Sequence, residues 1–509
     1  MANFRTKFID QRGSGILMHI SSLPGAYGIG DLGSAAYQFV DFLGGSGQHF
    51  WQFLPLGPSD PALGNSPYMS FSSAAGNPLF ISPDLLAADN LVNAAELADH
   101  PPFSEYLVDY EAVHAYKRDL LARAFSRFRQ NRLMMKKFRE FCQTETWLED
   151  YALFMGIRES QGNTPWNKWP TALARRDEKA LRLCRRELSA RLEYFKFEQF
   201  CFHRQWQDLR AYANGRGIGL IGDIPIYAAY DSVDVWIHQM CFCLNKKTLL
   251  PTFVAGVPPD YFSDTGQRWG NPVYRWKNGR QKNEELYSCW RTRFRQLNKL
   301  VDILRIDHFR GFQAYWQIPA CQETAVKGRW LKGPGASFFA DMGGSLGGLK
   351  IIAEDLGIIT PEVIAMRGKL GFPGMKILQF AFDSDEKNLY LPHNFDTTNC
   401  VVYTGTHDNN TTLGWYLGAE SSERTKARVR RYANSRADGQ IGWDFIRIAL
   451  ASTAVLAIIP MQDVLGFGGD CRMNTPGTPT GNWRWRCADR FINEEVGHRL
   501  LSVTKFYGR

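Results

Sequence analysis

The sequence predicts an α/β chain, folded as a parallel (β/α)8 TIM-type barrel with large, partly helical insertions. Three observations point there. Asp307, Glu354 and Asp408 each lie just past a short apolar run, in Leu304-Arg305-Ile306-Asp307, Ile351-Ile352-Ala353-Glu354 and Tyr403-Thr404-Gly405-Thr406-His407-Asp408. A carboxylate at the exit of a buried strand is costly unless it is partnered or used, and a parallel barrel brings such exits to one face. Near-continuous apolar runs recur along the chain, as strands covered on both faces require. Helical patterns such as residues 34–43 and 361–370 lie between several of them, which argues for a parallel sheet.

Eight runs read as strands in chain order. The first is 15–20, with Pro24 and glycines in its exit loop. The second, 49–54, is ended by Pro55, and the third, 218–224, by Pro225. Then come 301–307, 349–354, 375–380 and 400–404. The eighth, 454–459, is ended by Pro460. Their spacing is uneven. Residues 86–212 read as a mainly helical insertion, and 226–300 as a loop-rich insertion carrying aromatics, in one catalytic barrel spanning 1–509. Insertions at strand exits build walls around a site without disturbing the barrel.

Composition is that of an ordinary globular protein: 44% hydrophobic and 22% charged residues over a length that allows a large core. Aromatics make up 14%, which fits sugar-stacking surfaces and a large core equally well. Net charge is +9, but the basic residues are scattered as pairs such as Arg175-Arg176 and Arg430-Arg431. Without a contiguous basic block no nucleic-acid partner is expected. The ten cysteines include no CxxC pair, so neither a zinc pattern nor a disulfide framework is read, and no metal or other cofactor is expected. The longest apolar stretch, 448–461, is short of the ~20 residues a membrane span needs. Residues 1–11 have no apolar core of the signal-peptide kind. The expectation is a reduced, cytoplasmic protein without membrane contact.

Arg305 and Asp307 are two apart, so on a strand they share a side. Arg305 is expected to hold Asp307 ionised, as a nucleophile must be. The structural alternative is an ion pair lining a barrel. Glu354 leaves the neighbouring strand, where partial burial raises a carboxyl's pKa and lets it carry a proton. Two carboxyls facing one bond are the equipment for cleaving a glycosidic linkage. Asp408, with His407, sits in a Gly/Thr/Asn loop where it can bond ring hydroxyls. A His-Asp step can also ligate metal, but no second cluster with ligand spacing supports that. Asp223 leaves the third strand similarly. The stretch 254–272 combines Gly and Pro with Tyr261, Phe262 and Trp269, and reads as a mobile, sugar-stacking loop or a plug of the core edge. Gly28-Ile29-Gly30-Asp31-Leu32-Gly33 matches GxGxxG, but residues 21–27 separate it from its strand, so a dinucleotide site is not read.

Taken together, these stretches resemble the amylomaltases, or 4-alpha-glucanotransferases, relatives of the α-amylase barrel enzymes. The blocks that carry the resemblance include Ser66-Pro67-Tyr68, 222–236, 253–272, 305–319, Gly328-Arg329-Trp330, 351–361, 404–410 and Arg472-Met473-Asn474-Thr475-Pro476-Gly477. The resemblance implies Asp307 as nucleophile, Glu354 as acid/base and Asp408 as transition-state stabiliser. It implies that Tyr68, Asp223, Arg305 and His407 contact the donor sugar, with Asp260, Trp269 and Asn474 along the glucan groove. The implied reaction is a retaining transfer of α-1,4-glucan segments between maltooligosaccharides or starch-type glucans. A hydrolase of the same barrel class and a non-catalytic glycan-binding protein are the rivals. Gln313 and Gln317 stand where the family commonly has Glu, Cys289 replaces an aromatic, and Asn245-Lys246-Lys247 replaces an acidic turn. Local ion pairs are therefore in doubt, not the reaction.

Overall fold

The computed structural model describes residues 8–9, 11–259, 263–435 and 438–509. Its centre is a parallel eight-stranded sheet. The strands are β1 (Gly13–Leu17), β2 (Phe50–Gln52), β3 (Gly219–Pro225), β4 (Ile303–Asp307), β5 (Lys350–Ala353), β6 (Gly374–Ile377), β7 (Cys400–Tyr403) and β8 (Leu456–Pro460). Their hydrogen-bonded order is β5-β4-β3-β2-β1-β8-β7-β6. The two ends meet where the Ala353 N–H donates to the Pro373 carbonyl at 2.9 Å and the Met375 N–H to the Asp355 carboxylate at 2.8 Å. The sheet is thereby nearly closed as a barrel.

All eight apolar runs form strands, but several run on beyond them. Ile20 and residues 378–380, read as strand ends, lie in 3-10 turns. A short apolar run does not by itself distinguish a strand from a buried turn. Close packing between neighbouring strands shows at Gly15, opposite Phe50, where a Cβ would lie 2.4 Å from the Phe50 carbonyl oxygen.

Helices alternate with most strands, among them Ser34–Gly45 after β1 and Pro361–Leu370 between β5 and β6. The link from β6 to β7 is an exception, with 3-10 turns only among the described residues. Between β2 and β3 the chain is largely helical, and several of its helices begin at side-chain caps. Asp109, Asn131 and Asp177 each accept an N–H of the first turn. Aromatics bind these helices together: the Phe128 ring lies 4.7 Å from Phe197 and 5.3 Å from Phe138. Trp51, Trp166, Trp206, Trp236 and Trp290 are fully buried. Much of the aromatic content thus builds core rather than a sugar-binding surface.

Both ends of the 254–272 segment are strands rather than loop, while Tyr261 and Phe262 lie outside the described residues. Strands Phe253–Val257 and Gln267–Pro272 pair antiparallel and join Ala314–Pro319 and Arg329–Lys332 in a second, four-stranded sheet. This sheet stands over the exit of β4 and carries Trp269.

Candidate active site

Strand register gathers the site. Asp223 on β3 stands opposite Arg305 on β4, and Pro225 opposite Asp307. On the other side of β4, Ala353 stands opposite Ile306. Glu354 follows Ala353, so it emerges level with Asp307 at the carboxyl end of the adjacent strand.

Arg305 is buried and serves two acids. Its Nη1 lies 2.5 Å from Asp223 Oδ2 and 3.1 Å from Asp307 Oδ1. The Tyr68 hydroxyl also donates to Asp223 Oδ2, at 2.7 Å. Asp223 Oδ1 is buried without a hydrogen-bond partner.

Directly after Asp307 the chain turns left-handed at His308, φ 52° and ψ 46°. A non-glycine residue held there stores strain of order 1–3 kcal/mol. The turn sets the His308 N–H 2.7 Å from Glu354 Oε2, while the Leu356 N–H donates to Oε1 at 2.7 Å. Both oxygens of Glu354 are thereby held in place. The His308 ring meets Trp269 edge-on, with centroids 4.7 Å apart, and its buried Nε2 has no partner. Burial, helped by Arg310, lowers the His308 pKa to about 3, so the ring is neutral.

The carboxyls divide electrostatically. Burial raises Glu354, and the Asp307 charge beside it adds to the effect. Arg305 and the two N–H donors oppose them, leaving Glu354 at about 8. Burial also raises Asp307, against Arg305, and the Asp223 and Asp408 charges add to the rise, leaving Asp307 at about 6. Arg305 favours the ionised form of Asp307, as expected, but burial and the neighbouring carboxylates act against it. The shorter Arg305 contact is to Asp223, and burial prevails. Near neutral pH the pair still holds one ionised group, Asp307, and one proton, on Glu354.

Asp408 sits in the loop after β7. Burial raises its pKa, but the His407 ring, the Asn474 hydrogen bond and the Arg305 charge outweigh it and hold the carboxyl well below the usual range. Asn474 Nδ2 donates to Asp408 Oδ1 at 2.7 Å, and His407 Nε2 lies 3.3 Å from the same oxygen. Arg472 braces both residues, donating to the Asp408 carbonyl at 2.9 Å and the Asn474 carbonyl at 2.7 Å. His407 stacks on Tyr68 with centroids 5.1 Å apart, and Trp483 lies against both rings.

One connected surface therefore holds Tyr68, Asp223, Trp269, Arg305, Asp307, Glu354, His407, Asp408 and Asn474. Asp260 lies outside the described residues. His308, Arg472 and Trp483 belong to the site and carry no signal of their own in the sequence. They fall inside the blocks that carry the resemblance or beside them, but no spacing or residue-type pattern marks them. Of the departures, Gln317 Oε1 accepts from Arg329 Nε at 3.2 Å and Nη2 at 3.1 Å, the place a glutamate's ion pair would take.

The sequence pattern of the 4-alpha-glucanotransferases matches residues 18–491. The chain belongs to the 4-alpha-glucanotransferase family. A 4-alpha-glucanotransferase from Synechocystis sp. is 48% identical over 505 residues, covering 98% of this chain and 99% of its own length. One from Thermus thermophilus is 46% identical, covering 97% and 98%. The amylomaltase of Streptococcus agalactiae, solved in complex with acarbose, superposes with a TM-score of 0.92 at 39% identity, covering 98% of this chain and all of its own. The protein is an enzyme of α-glucan transfer, as its motifs imply. Among the described residues no helix is long and apolar enough to cross a membrane.

Proposed function

We propose that Asp307 is the nucleophile, Glu354 the general acid and base, and Asp408 the stabiliser of the transition state. The observation that carries this reading is geometric: strand register sets Asp307 and Glu354 at adjacent strand ends, with both Glu354 oxygens held by the His308 and Leu356 N–H groups. In the first step an Asp307 oxygen attacks the anomeric carbon while Glu354 gives its proton to the glycosidic oxygen. The C–O bond breaks, leaving a glycosyl ester on Asp307 and a shortened glucan with a new 4-hydroxyl. In the second step Glu354, now ionised, takes the proton of an acceptor's 4-hydroxyl, whose oxygen displaces Asp307. Two inversions give net retention.

Asp408 stays ionised and faces the positive charge that develops on the sugar. Asp223 Oδ1 and His308 Nε2 are buried polar atoms without partners, and sugar hydroxyls are the partners this reading supplies. Trp269 and Asn474 line the groove, and the family resemblance implies a place along it for Asp260. Donor and acceptor are maltooligosaccharides or starch-type glucans, with glucose as the smallest acceptor. That the S. agalactiae relative was solved with acarbose supports such a groove. The insertions at 86–212 and 226–300 wall it. A cytoplasmic setting is supported by ten free cysteines.

The pH dependence follows in sign. Asp307 must be ionised, so kcat/KM rises as pH increases through about 6. Glu354 must carry its proton, so kcat/KM falls as pH increases through about 8. A bell with these limbs is expected for maltotriose. A profile flat from below the first value to above the second contradicts the assignment.

Transfer rather than hydrolysis is tested with the same substrate. Each transfer breaks one α-1,4 bond and makes another. Maltotriose should give glucose plus a ladder of longer oligosaccharides, with total reducing ends nearly constant. Reducing ends that climb in step with substrate loss would show that water is the acceptor.

A further inference from the structure

Outside the groove, the described residues hold one group of three metal-ligating side chains: His238, Cys241 and Cys289. Their donor atoms all lie within 4.8 Å of one another. Glu285 adds a fourth donor, its Oε1 3.4 Å from His238 Nδ1. The four line a cavity of about 210 Å³. From this geometry we propose that His238, Cys241, Glu285 and Cys289 form a tetrahedral binding site for one Zn²⁺-class cation, with two thiolates, one imidazole and one carboxylate as ligands.

Two features build the site before any ion arrives. His238 and Cys241 sit three apart on one tight turn, closed by the Cys241 N–H on the His238 carbonyl at 2.8 Å. The Arg275 N–H donates to the Cys241 carbonyl at 2.8 Å, and Gln239 Nε2 fastens the turn to the Ala174 carbonyl at 2.8 Å. Glu285 and Cys289 sit four apart near the start of helix Glu284–Leu300, so they share one face. Asn283 ties the two halves. It caps that helix and reaches the Met240 carbonyl at 3.5 Å and the Arg275 carbonyl at 3.0 Å.

The donor set selects the ion. Two thiols and an imidazole suit zinc and exclude magnesium and calcium, which take oxygen ligands. Zinc at ~2.3 Å from sulfur and ~2.0 Å from nitrogen needs donors about 3.3–3.8 Å apart, so the three donors lying within 4.8 Å of one another must draw in, and Glu285, beside His238 but outside that group, must swing toward them. The ion is held by thiolates, a neutral imidazole and a carboxylate, and any proton it displaces from them passes to solvent. Cys241 is fully buried, while His238 and Glu285 are partly exposed and leave an entry path. An ion here would fasten the segment after β3 to the helix that leads into β4, the strand that carries Asp307. The two ligand pairs lie far apart in the chain, which is why cysteine spacing conceals them.

Reduced, chelator-stripped full-length protein titrated with Co²⁺ is the test. One Co²⁺ per chain should give a thiolate charge-transfer band and the visible d–d bands of a tetrahedral ion, and one equivalent of Zn²⁺ should abolish both. Cys289→Ser and Cys241→Ser should lose the charge-transfer intensity and weaken binding at least about 10-fold. Cys321→Ser, at an exposed cysteine elsewhere, should leave the spectrum unchanged. Absence of a tetrahedral spectrum in the wild-type protein, or its survival in Cys289→Ser, overturns the proposal. The wild-type spectrum decides even if a variant fails to fold.

Discussion

Replacing Asp307 with alanine should lower turnover of maltotriose by about 10⁴-fold or more, since loss of a nucleophile removes the covalent route itself. That corresponds to at least about 5 kcal/mol of transition-state stabilisation. The fold should survive. Asp307 lies at the open end of β4, its side chain 29% exposed, and Arg305 keeps its shorter contact to Asp223. An unchanged circular dichroism spectrum and a melting temperature within a few degrees would establish that. With the acid gone, its charge no longer raises Glu354, whose titration should move down from about 8. Folded Asp307→Ala protein with more than a trace of activity would remove Asp307 from the reaction.

Glu354→Gln should lower kcat/KM on maltotriose by about 10²- to 10⁴-fold, the usual contribution of a positioned general acid. The amide keeps the size of the side chain, and its oxygen can still accept from the His308 or the Leu356 N–H. What it lacks is a proton to give. The loss should therefore depend on the leaving group. An α-glucosyl-type donor with an acidic leaving group, such as fluoride, leaves without protonation, so its first step should be nearly normal. The second step still needs a base for the acceptor hydroxyl and should stay slow. Equal losses on maltotriose and on the fluoride would mean that Glu354 holds structure rather than a proton.

How far the sequence reaches can be read from particular residues. The carboxylates at 307, 354 and 408 are visible because an acid at the end of an apolar run is conspicuous, and strand alternation places Arg305 beside Asp307. Strand existence is equally plain, because a parallel barrel needs runs apolar on both faces. The ends of those runs are not. Ile20 and Leu378 are as apolar as any strand residue, and only the backbone shows that the chain turns there. His308 is hidden for another reason. Its part is played by a left-handed backbone and one N–H aimed at Glu354, and neither leaves a mark in residue type. The partnership of Asn474 with Asp408 depends on Arg472 and on loops far apart in the chain. The aromatic stretch reads as a loop because glycines and prolines usually punctuate turns, whereas here they sit in and beside strands. Gly256 permits a close crossing, since a Cβ there would lie 2.1 Å from the Gln267 carbonyl oxygen. The sequence does not show that Arg305 is shared with Asp223, because Asp223 lies 82 residues earlier in the chain and only the register brings the two together.

The central claim is a sugar held covalently on Asp307, and it can be observed directly. Glu354→Gln protein is mixed with an α-maltosyl fluoride, quenched in acid, digested and mapped by mass spectrometry. The account predicts one added maltosyl unit on the peptide containing Asp307, decaying when a good external nucleophile such as azide is supplied. An adduct on another residue, or none while fluoride is released in a burst, would contradict it.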